Sequence, residues 1–168
     1  MESNAIRRHV VIFSNWFQWV ERKQLGTVLN YPGIYAICSS PNRNLHNEPF
    51  EWRENMIYIG MTNSVNGLKG RLKQFDNTMQ GKTGHGGADR VRFKHQDYNE
   101  FISSAYVAVC YIECDVTSNR PVNLRKMGKV AENEYLAIAE YVERFNKLPE
   151  FNNKKESKKF SKHKKPIL

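Results

Sequence analysis

The sequence predicts a single small domain of the mixed α/β (α+β) class, in which a three-stranded antiparallel sheet is flanked by helices. Its 168 residues, 40% of them hydrophobic, suit one domain with one core. Three short segments are rich in β-favouring residues and predict strands: residues 31–38, 56–61 and 105–115. Two longer segments repeat apolar residues at helical spacing and predict helices: residues 66–79 and 127–145.

Residues 1–30 are predicted to form an N-terminal helix that packs on the core. Val10, Phe13 and Phe17 recur at helical spacing, which predicts a helix over about residues 4–24. The tryptophans of this segment either pack in the core or offer a stacking surface, and core packing is the commoner fate of such rings.

The first two predicted strands form a hairpin with a long connection. Side chains alternate between the two faces of a strand, so Gly33 and Tyr35 share a face, as do Tyr58 and Gly60. If these faces coincide, two phenols stand on one sheet surface beside glycines that leave room for a close approach. The connection, residues 39–55, is either a surface insertion or a loop that contacts a binding partner.

The helix after the second strand carries an arginine beside its apolar stripe. Leu68, Leu72 and Phe75 recur on one side, and Arg71 lies about 60° away from it. Such an arginine either stays in solvent at the helix margin or reaches the sheet face that carries the tyrosines.

Residues 81–87 are rich in glycine and are predicted to form a mobile loop that presents His85. A phosphate-binding P-loop is excluded, because Asp76 stands where that motif needs its first glycine and the segment follows a helix. His85 is therefore either a site residue or an ordinary turn histidine.

The last predicted helix has a carboxylate on its apolar side. Glu134 falls in line with Val130, Ala137 and Tyr141, whereas Glu132 is rotated by about 160° from it. A carboxylate on a packed side is costly unless it meets a cation or a metal ion. We therefore expect Glu134 to be a site residue, the alternative being a rim glutamate that pairs with a lysine.

Residues 153–168 are predicted to form a basic, disordered tail. The chain carries a net charge of +9, and residues 154–165 contain seven lysines and one glutamate. The excess of positive charge indicates a polyanionic partner, although such a tail can also serve only to keep a protein soluble.

Membrane, secretory and zinc-binding classes are not expected. No segment reaches the roughly 18 apolar residues of a membrane span, and no signal-peptide pattern is present, so a cytoplasmic location is expected. Three cysteines do not form a disulfide framework. Cys110 and Cys114 would lie about 13 Å apart on one strand, too far to share a zinc ion.

The sequence resembles the GIY-YIG nucleases over residues 31–152. The resemblance begins with the two triplets that name the family: Gly33-Ile34-Tyr35 and Tyr58-Ile59-Gly60. In that family a helix with an arginine, a third strand, a helix with a glutamate and a Pro-x-x-Asn motif follow in order. Arg71, residues 105–115, Glu134 and residues 149–152 match these parts. The 22 residues between the two tyrosines exceed the usual spacing in the family.

The resemblance implies a metal-dependent endonuclease that hydrolyses phosphodiester bonds of DNA, of the restriction, repair or mobile-element type. Glu134 would hold Mg²⁺ or Mn²⁺, and Arg71 would neutralise charge on the phosphate. Tyr35 would orient or deprotonate the attacking water, or relay a proton to His85. The implied catalytic residues are Tyr35, Tyr58, Arg71, His85, Glu134 and Asn152.

Several basic residues are candidates for nucleic-acid contacts, as is the connection 39–55. They are Lys69, Lys73, Arg90, Lys154, Lys155, Lys158 and Lys159. A base role for Tyr35 would require its pKa of about 10 to fall to about 7, which corresponds to about 4 kcal/mol. The alternative function is a non-catalytic nucleic-acid-binding module of the same fold, which would have no use for a carboxylate facing phosphate.

Overall fold

The computed structural model describes residues 10–163 and contains a four-stranded antiparallel sheet with helices on both faces. The strands are β1 (Phe17–Gln18), β2 (Gly33–Ser39), β3 (Met56–Thr62) and β4 (Ala105–Tyr111). The α-helices are α1 (Gly67–Met79), α2 (Gly86–Lys94), α3 (Tyr98–Ser104) and α4 (Pro121–Phe145). Segments of 3₁₀ helix cover Trp19–Asn30, Glu150–Asn152 and Phe160–Lys162. The predicted mixed α and β class is confirmed.

The predicted hairpin is formed by β2 and β3, and its register brings the two tyrosines onto one face. Tyr35 lies opposite Gly60, and Ile37 lies opposite Tyr58. Directly opposite residues of an antiparallel pair point to the same side of the sheet. The rings of Tyr35 and Tyr58 therefore share a face, with their centroids 6.0 Å apart. The strand order is β1-β4-β2-β3, so β3 is an outer strand.

The prediction of three strands is wrong, and so is the N-terminal helix over residues 10–18. This segment is extended: the backbone N–H of Ser14 donates to the Val109 carbonyl at 2.7 Å, and β1 pairs with β4. Phe13 and Trp16 are buried, whereas Val10 is exposed. Pairing with β4 thus overrides the helical spacing. The remainder of the predicted helix up to residue 9 lies outside the described residues.

The sheet separates two groups of buried side chains. On the face of Tyr35, the buried residues of α1, together with Trp19, cover the sheet. On the other face, α4 packs through Val130, Ala137 and Tyr141, which are the residues that its periodicity predicts. The helix begins at Pro121, six residues earlier than predicted, and β4 ends at Tyr111, four residues earlier.

The connection 39–55 is packed down rather than loosely inserted. Leu45 is fully buried, and the ring of Phe50 stacks on Phe13 and Trp16 with centroid distances of 4.4 and 5.1 Å. The connection therefore completes the core on the α4 face of the sheet.

Asp76 anchors the C-terminal end of α1. Its buried carboxylate accepts hydrogen bonds from Trp19 Nε1 at 2.7 Å, from the Tyr98 hydroxyl at 2.9 Å and from Gln80 Nε2 at 2.8 Å. The guanidinium of Arg22 lies 3.5 Å away. The 3₁₀ segment Trp19–Asn30 and α3 are thereby fixed to the helix that carries Arg71.

Within residues 10–163, the helices are all too short or too polar to cross a membrane.

Candidate active site

A cavity of about 510 Å³ lies beside the outer strand β3. Four residues predicted for the site line it: Tyr58, Arg71, Glu134 and Asn152. They come from β3, from α1, from α4 and from the 3₁₀ turn that follows α4. Elements from both faces of the sheet can meet here because no further strand covers β3.

Tyr35 and His85 are close together but lie behind this cavity. The hydroxyl of Tyr35 is 2.6 Å from His85 Nε2, and the two residues are 0% and 1% exposed. A Cβ atom on Gly60 would lie 2.6 Å from the Tyr35 hydroxyl oxygen, so glycine is required for the phenol to cross this position. The room left by Gly60 is thus filled by Tyr35 itself.

His85 caps a helix. The glycine-rich loop predicted over residues 81–87 is shorter than expected, because α2 begins at Gly86. His85 is the N-cap of α2, where its Nδ1 accepts a hydrogen bond from the Ala88 backbone N–H at 3.1 Å. A neutral imidazole that accepts at Nδ1 carries its proton at Nε2. His85 therefore donates to the Tyr35 oxygen and cannot take a proton from it.

Burial raises the pKa of Tyr35 well above its usual value of 10.0, and the neighbouring Tyr58 phenol acts in the same direction. The charge of Arg71 opposes this shift without cancelling it. Burial also raises the pKa of Tyr58, against the opposing effects of Arg71 and of the neighbouring Tyr35 hydroxyl. The lower pKa that a base role for Tyr35 would require is therefore opposed by its surroundings, and both phenols are protonated at neutral pH.

Burial lowers the pKa of His85 from 6.5 to about 3, and the positive charge of Arg71 adds to this effect. Between these values the unfolded chain binds a proton at His85 and the folded chain does not. We therefore expect the free energy of unfolding to fall as the pH drops from 6.5 towards 3. A difference of one bound proton between the unfolded and folded states changes the free energy of unfolding by about 1.4 kcal/mol per pH unit.

The variant His85→Asn tests this pH dependence, since asparagine retains an N-cap acceptor but does not titrate. Urea unfolding across this pH range should show a shallower dependence in the variant than in the original chain. Equal slopes would mean that His85 titrates normally in the folded protein.

Two buried guanidinium donors in the cavity wall have no hydrogen-bond acceptor among the described residues. They are Nε of Arg71 and Nη1 of Arg90. Arg71 is nevertheless oriented, because its Nη1 donates to Gln74 Oε1 at 2.6 Å. Gln74 Nε2 in turn donates to the carbonyl of Gly84, next to His85, at 2.9 Å.

Glu134 and Glu132 differ as their helical phase predicts. Glu134 is half-buried and lines the cavity, whereas Glu132 is exposed and pairs with Lys129. Burial raises the pKa of Glu134, against the charges of Arg71 and Lys154. In the part of the chain that the structure describes, no three His, Cys, Asp or Glu side chains form a group able to hold a metal ion.

Asn152 contacts the backbone of the outer strand. Its Oδ1 accepts from the N–H of Ile59 and its Nδ2 donates to the carbonyl of Ile59, both at 2.8 Å. The residue thus holds the strand that carries Tyr58.

Part of the predicted disordered tail is folded onto α2. Ser161 donates from both its backbone N–H and its hydroxyl to the carboxylate of Asp89, at 3.1 and 2.5 Å. The guanidinium of Arg92 lies 4.0 Å from the ring centroid of Phe160. The interpretation of disorder is therefore wrong for residues 153–163, and residues 164–168 lie outside the described chain.

Six of the seven basic candidates line at least one of three cavities. Arg90, Lys154 and Lys159 line the cavity of Glu134. Lys158 lines an adjoining cavity of about 730 Å³, and Lys155 is exposed outside the described cavities. Lys69 and Lys73 line a further cavity of about 630 Å³ together with Lys82.

Three residues of the site region were not predicted: Gln74, Gly87 and Tyr135. A Cβ atom on Gly87 would lie 2.4 Å from Cζ of Tyr58, so this glycine allows α2 to approach the phenol. The glycine cluster at residues 81–87 carried that signal. Gln74 and Tyr135 carry no sequence signal, because polar and aromatic residues are common on helix surfaces.

Comparisons with protein-family models, curated proteins and solved structures give no match to this chain.

Proposed function

We propose that the chain is an endonuclease that hydrolyses phosphodiester bonds of DNA with the aid of Mg²⁺ or Mn²⁺. The observation that carries the proposal is a single cavity that Arg71, Arg90 and Glu134 line together. Guanidinium groups donate hydrogen bonds to phosphate oxygens, and a carboxylate binds a hard divalent cation. The resemblance to the GIY-YIG nucleases over residues 31–152 supports the same chemistry.

The guanidinium groups would bind the non-bridging oxygens of the scissile phosphate. Charge builds up on these oxygens when water attacks phosphorus, and oriented donors in a partly buried site stabilise it. A P–O bond forms to the water oxygen, the P–O bond to the leaving oxygen breaks, and a water proton ends on that oxygen. Gln74 holds Arg71 in place for this role.

Tyr58, rather than Tyr35, is the phenol that would contact the reactants. Tyr58 lines the cavity, while Tyr35 is fully buried behind it. His85 donates to Tyr35, and the ring of Tyr35 lies beside that of Tyr58, with the centroids 6.0 Å apart. These contacts hold the Tyr58 ring at the cavity, where its hydroxyl would orient the attacking water through a hydrogen bond. A phenolate base is not required, since both phenols are protonated at neutral pH.

The residues present fit a hard divalent cation. Mg²⁺ keeps several of its waters and commonly takes one or two carboxylates together with substrate phosphate oxygens. Glu134 supplies such a carboxylate at an open cavity, and no described group within 4 Å forms an ion pair with it. When bound, the cation would polarise the phosphate and stabilise the leaving oxygen.

The proposal is tested by incubating the protein with duplex, branched and single-stranded DNA, in Mg²⁺ and in a chelator. We expect cleavage that requires the cation, and mapping of the cut ends will distinguish cleavage at fixed sequences from cleavage at branches. Binding without cleavage of any of these DNAs would instead support the non-catalytic nucleic-acid-binding module.

The tail lysines at the cavity should contribute to DNA affinity. Lys154 and Lys159 line the cavity, so Lys154→Gln/Lys159→Gln should weaken binding and lower the slope of log K against log salt. The slope falls by up to about 0.9 for each phosphate that the variant no longer neutralises. The double variant Lys23→Gln/Lys162→Gln removes the same charge from exposed positions outside the described cavities and serves as the control. Equal slopes for both variants would show that only net charge matters.

A further inference from the structure

Tyr135 is an exposed aromatic residue at the rim of the candidate active site. Its side chain is 76% exposed, it follows Glu134 on α4, and it lines the same cavity. Among the described residues, no aromatic ring packs against the Tyr135 ring and no group forms a hydrogen bond with its hydroxyl. Other exposed apolar residues of α4, such as Leu124, lie away from the described cavities. The ring therefore offers a π face to whatever enters the cavity.

The cavity has two chemically different sets of lining residues on different elements. The helix α4 and the loop after it contribute Tyr135, Ile138 and Leu148, and β3 and the 3₁₀ turn that follows α4 contribute the rings of Tyr58 and Phe151. The helices α1 and α2 and the tail contribute the cations: Arg71, Arg90, Lys154 and Lys159. A bare phosphate backbone would use only the cationic set. A nucleotide with its base turned into the cavity would use both.

The stacked bases of a continuous duplex cover one another on both faces, so an aromatic side chain can stack only on a base that has left the stack. We propose that Tyr135 stacks on an unpaired nucleobase next to the phosphate bound by Arg71 and Arg90. This inference rests on the proposed function and narrows its substrate class. The site accepts a single strand, a strand end at a junction or a flipped nucleotide in preference to an undisturbed duplex.

The test is a binding experiment in a chelator, which does not depend on cleavage. A fluorescently labelled oligothymidylate is compared with a blunt DNA hairpin whose loop is a polyethylene glycol linker without nucleotides, and with a fully abasic strand of the same length. We expect Tyr135→Ala to weaken binding of the oligothymidylate by about 5- to 100-fold, the range of base–aromatic stacking. Tyr135→Phe should bind nearly as the original chain does, Tyr135→Leu should resemble the alanine variant, and Leu124→Ala should have no effect.

The abasic strand and the hairpin identify the contact. We expect Tyr135→Ala to have little effect on the affinity for either, because neither presents an unpaired base. An equal loss for the oligothymidylate and the abasic strand would overturn the stacking contact, and so would full rescue by Tyr135→Leu. Tyr135-dependent binding of the oligothymidylate without any cleavage in Mg²⁺ would overturn the nuclease but not the base contact. Cleavage of undisturbed duplex at an unchanged rate by Tyr135→Ala would overturn the base contact alone. A duplex-flipping mode would appear as Tyr135-dependent binding of a hairpin with a mismatch.

Discussion

Glu134→Gln is expected to abolish DNA cleavage while DNA binding is retained or tightened. Glutamine keeps the size of the side chain but removes the charge that would hold the divalent cation. We expect the rate to fall by about 10³-fold, the scale of losing a group that stabilises the transition state. Affinity should not fall, because one negative charge facing the phosphate is removed from a cavity that keeps its arginines.

Glu132→Gln is the matched control on the same helix. Glu132 is exposed and contacts Lys129, and most exposed substitutions have small effects. Cleavage rates measured over a Mg²⁺ titration, together with affinities in a chelator, decide between the two residues. If Glu132→Gln is inactive and Glu134→Gln cuts normally, the cation site has been assigned to the wrong carboxylate.

Tyr58→Phe and Tyr35→Phe are expected to impair the protein in different ways. Tyr58 lines the cavity, so removal of its hydroxyl should lower kcat by about 10²-fold, the scale for a group that transfers a proton or orients water. Its stability should change little. Tyr35→Phe leaves the buried Nε2–H of His85 without its acceptor, which should reduce the free energy of unfolding by about 1–3 kcal/mol.

The predicted loss of activity in Tyr35→Phe is smaller than in Tyr58→Phe at a temperature where both are folded, because Tyr35 acts through Tyr58. Steady-state cleavage and urea unfolding of both variants give the two quantities. The combination His85→Asn/Tyr35→Phe should be less destabilised than the sum of the single changes, since the two groups share one hydrogen bond. If Tyr35→Phe lowers kcat more than Tyr58→Phe does, Tyr35 rather than Tyr58 contacts the reactants.

The parts of the fold set by local periodicity could be predicted from the sequence. Alternation predicted that Tyr35 shares a face with Gly33, and Tyr58 with Gly60, while the hairpin register decided that the two tyrosines share one face. Helical phase separated Glu134 from Glu132. The extended segment before β1 could not be predicted in this way. Its apolar spacing fits a helix, but hydrogen bonds to Val109, far along the chain, determine its conformation.

The burial of each site residue could not be predicted either. Alternation along a strand predicts which face of the sheet a side chain lies on, but not which element covers that face. Tyr35 is buried because His85, the N-cap of α2, lies against it, whereas the glycines around this point suggested a mobile loop. The docked tail was missed for a related reason. Its lysine-rich composition indicates disorder, whereas the two hydrogen bonds between Ser161 and Asp89 are invisible in composition.

The position of Asn152 has a consequence for self-association of the protein. Outer strands carry unpaired backbone groups that can pair with a strand of another molecule, which is a common route to aggregation. In β3 the N–H and the carbonyl of Ile59, at the middle of the strand, are both occupied by the Asn152 amide. A second strand could not extend past this residue without displacing it. The residue that resembles part of a catalytic motif therefore also keeps the sheet from growing beyond β3.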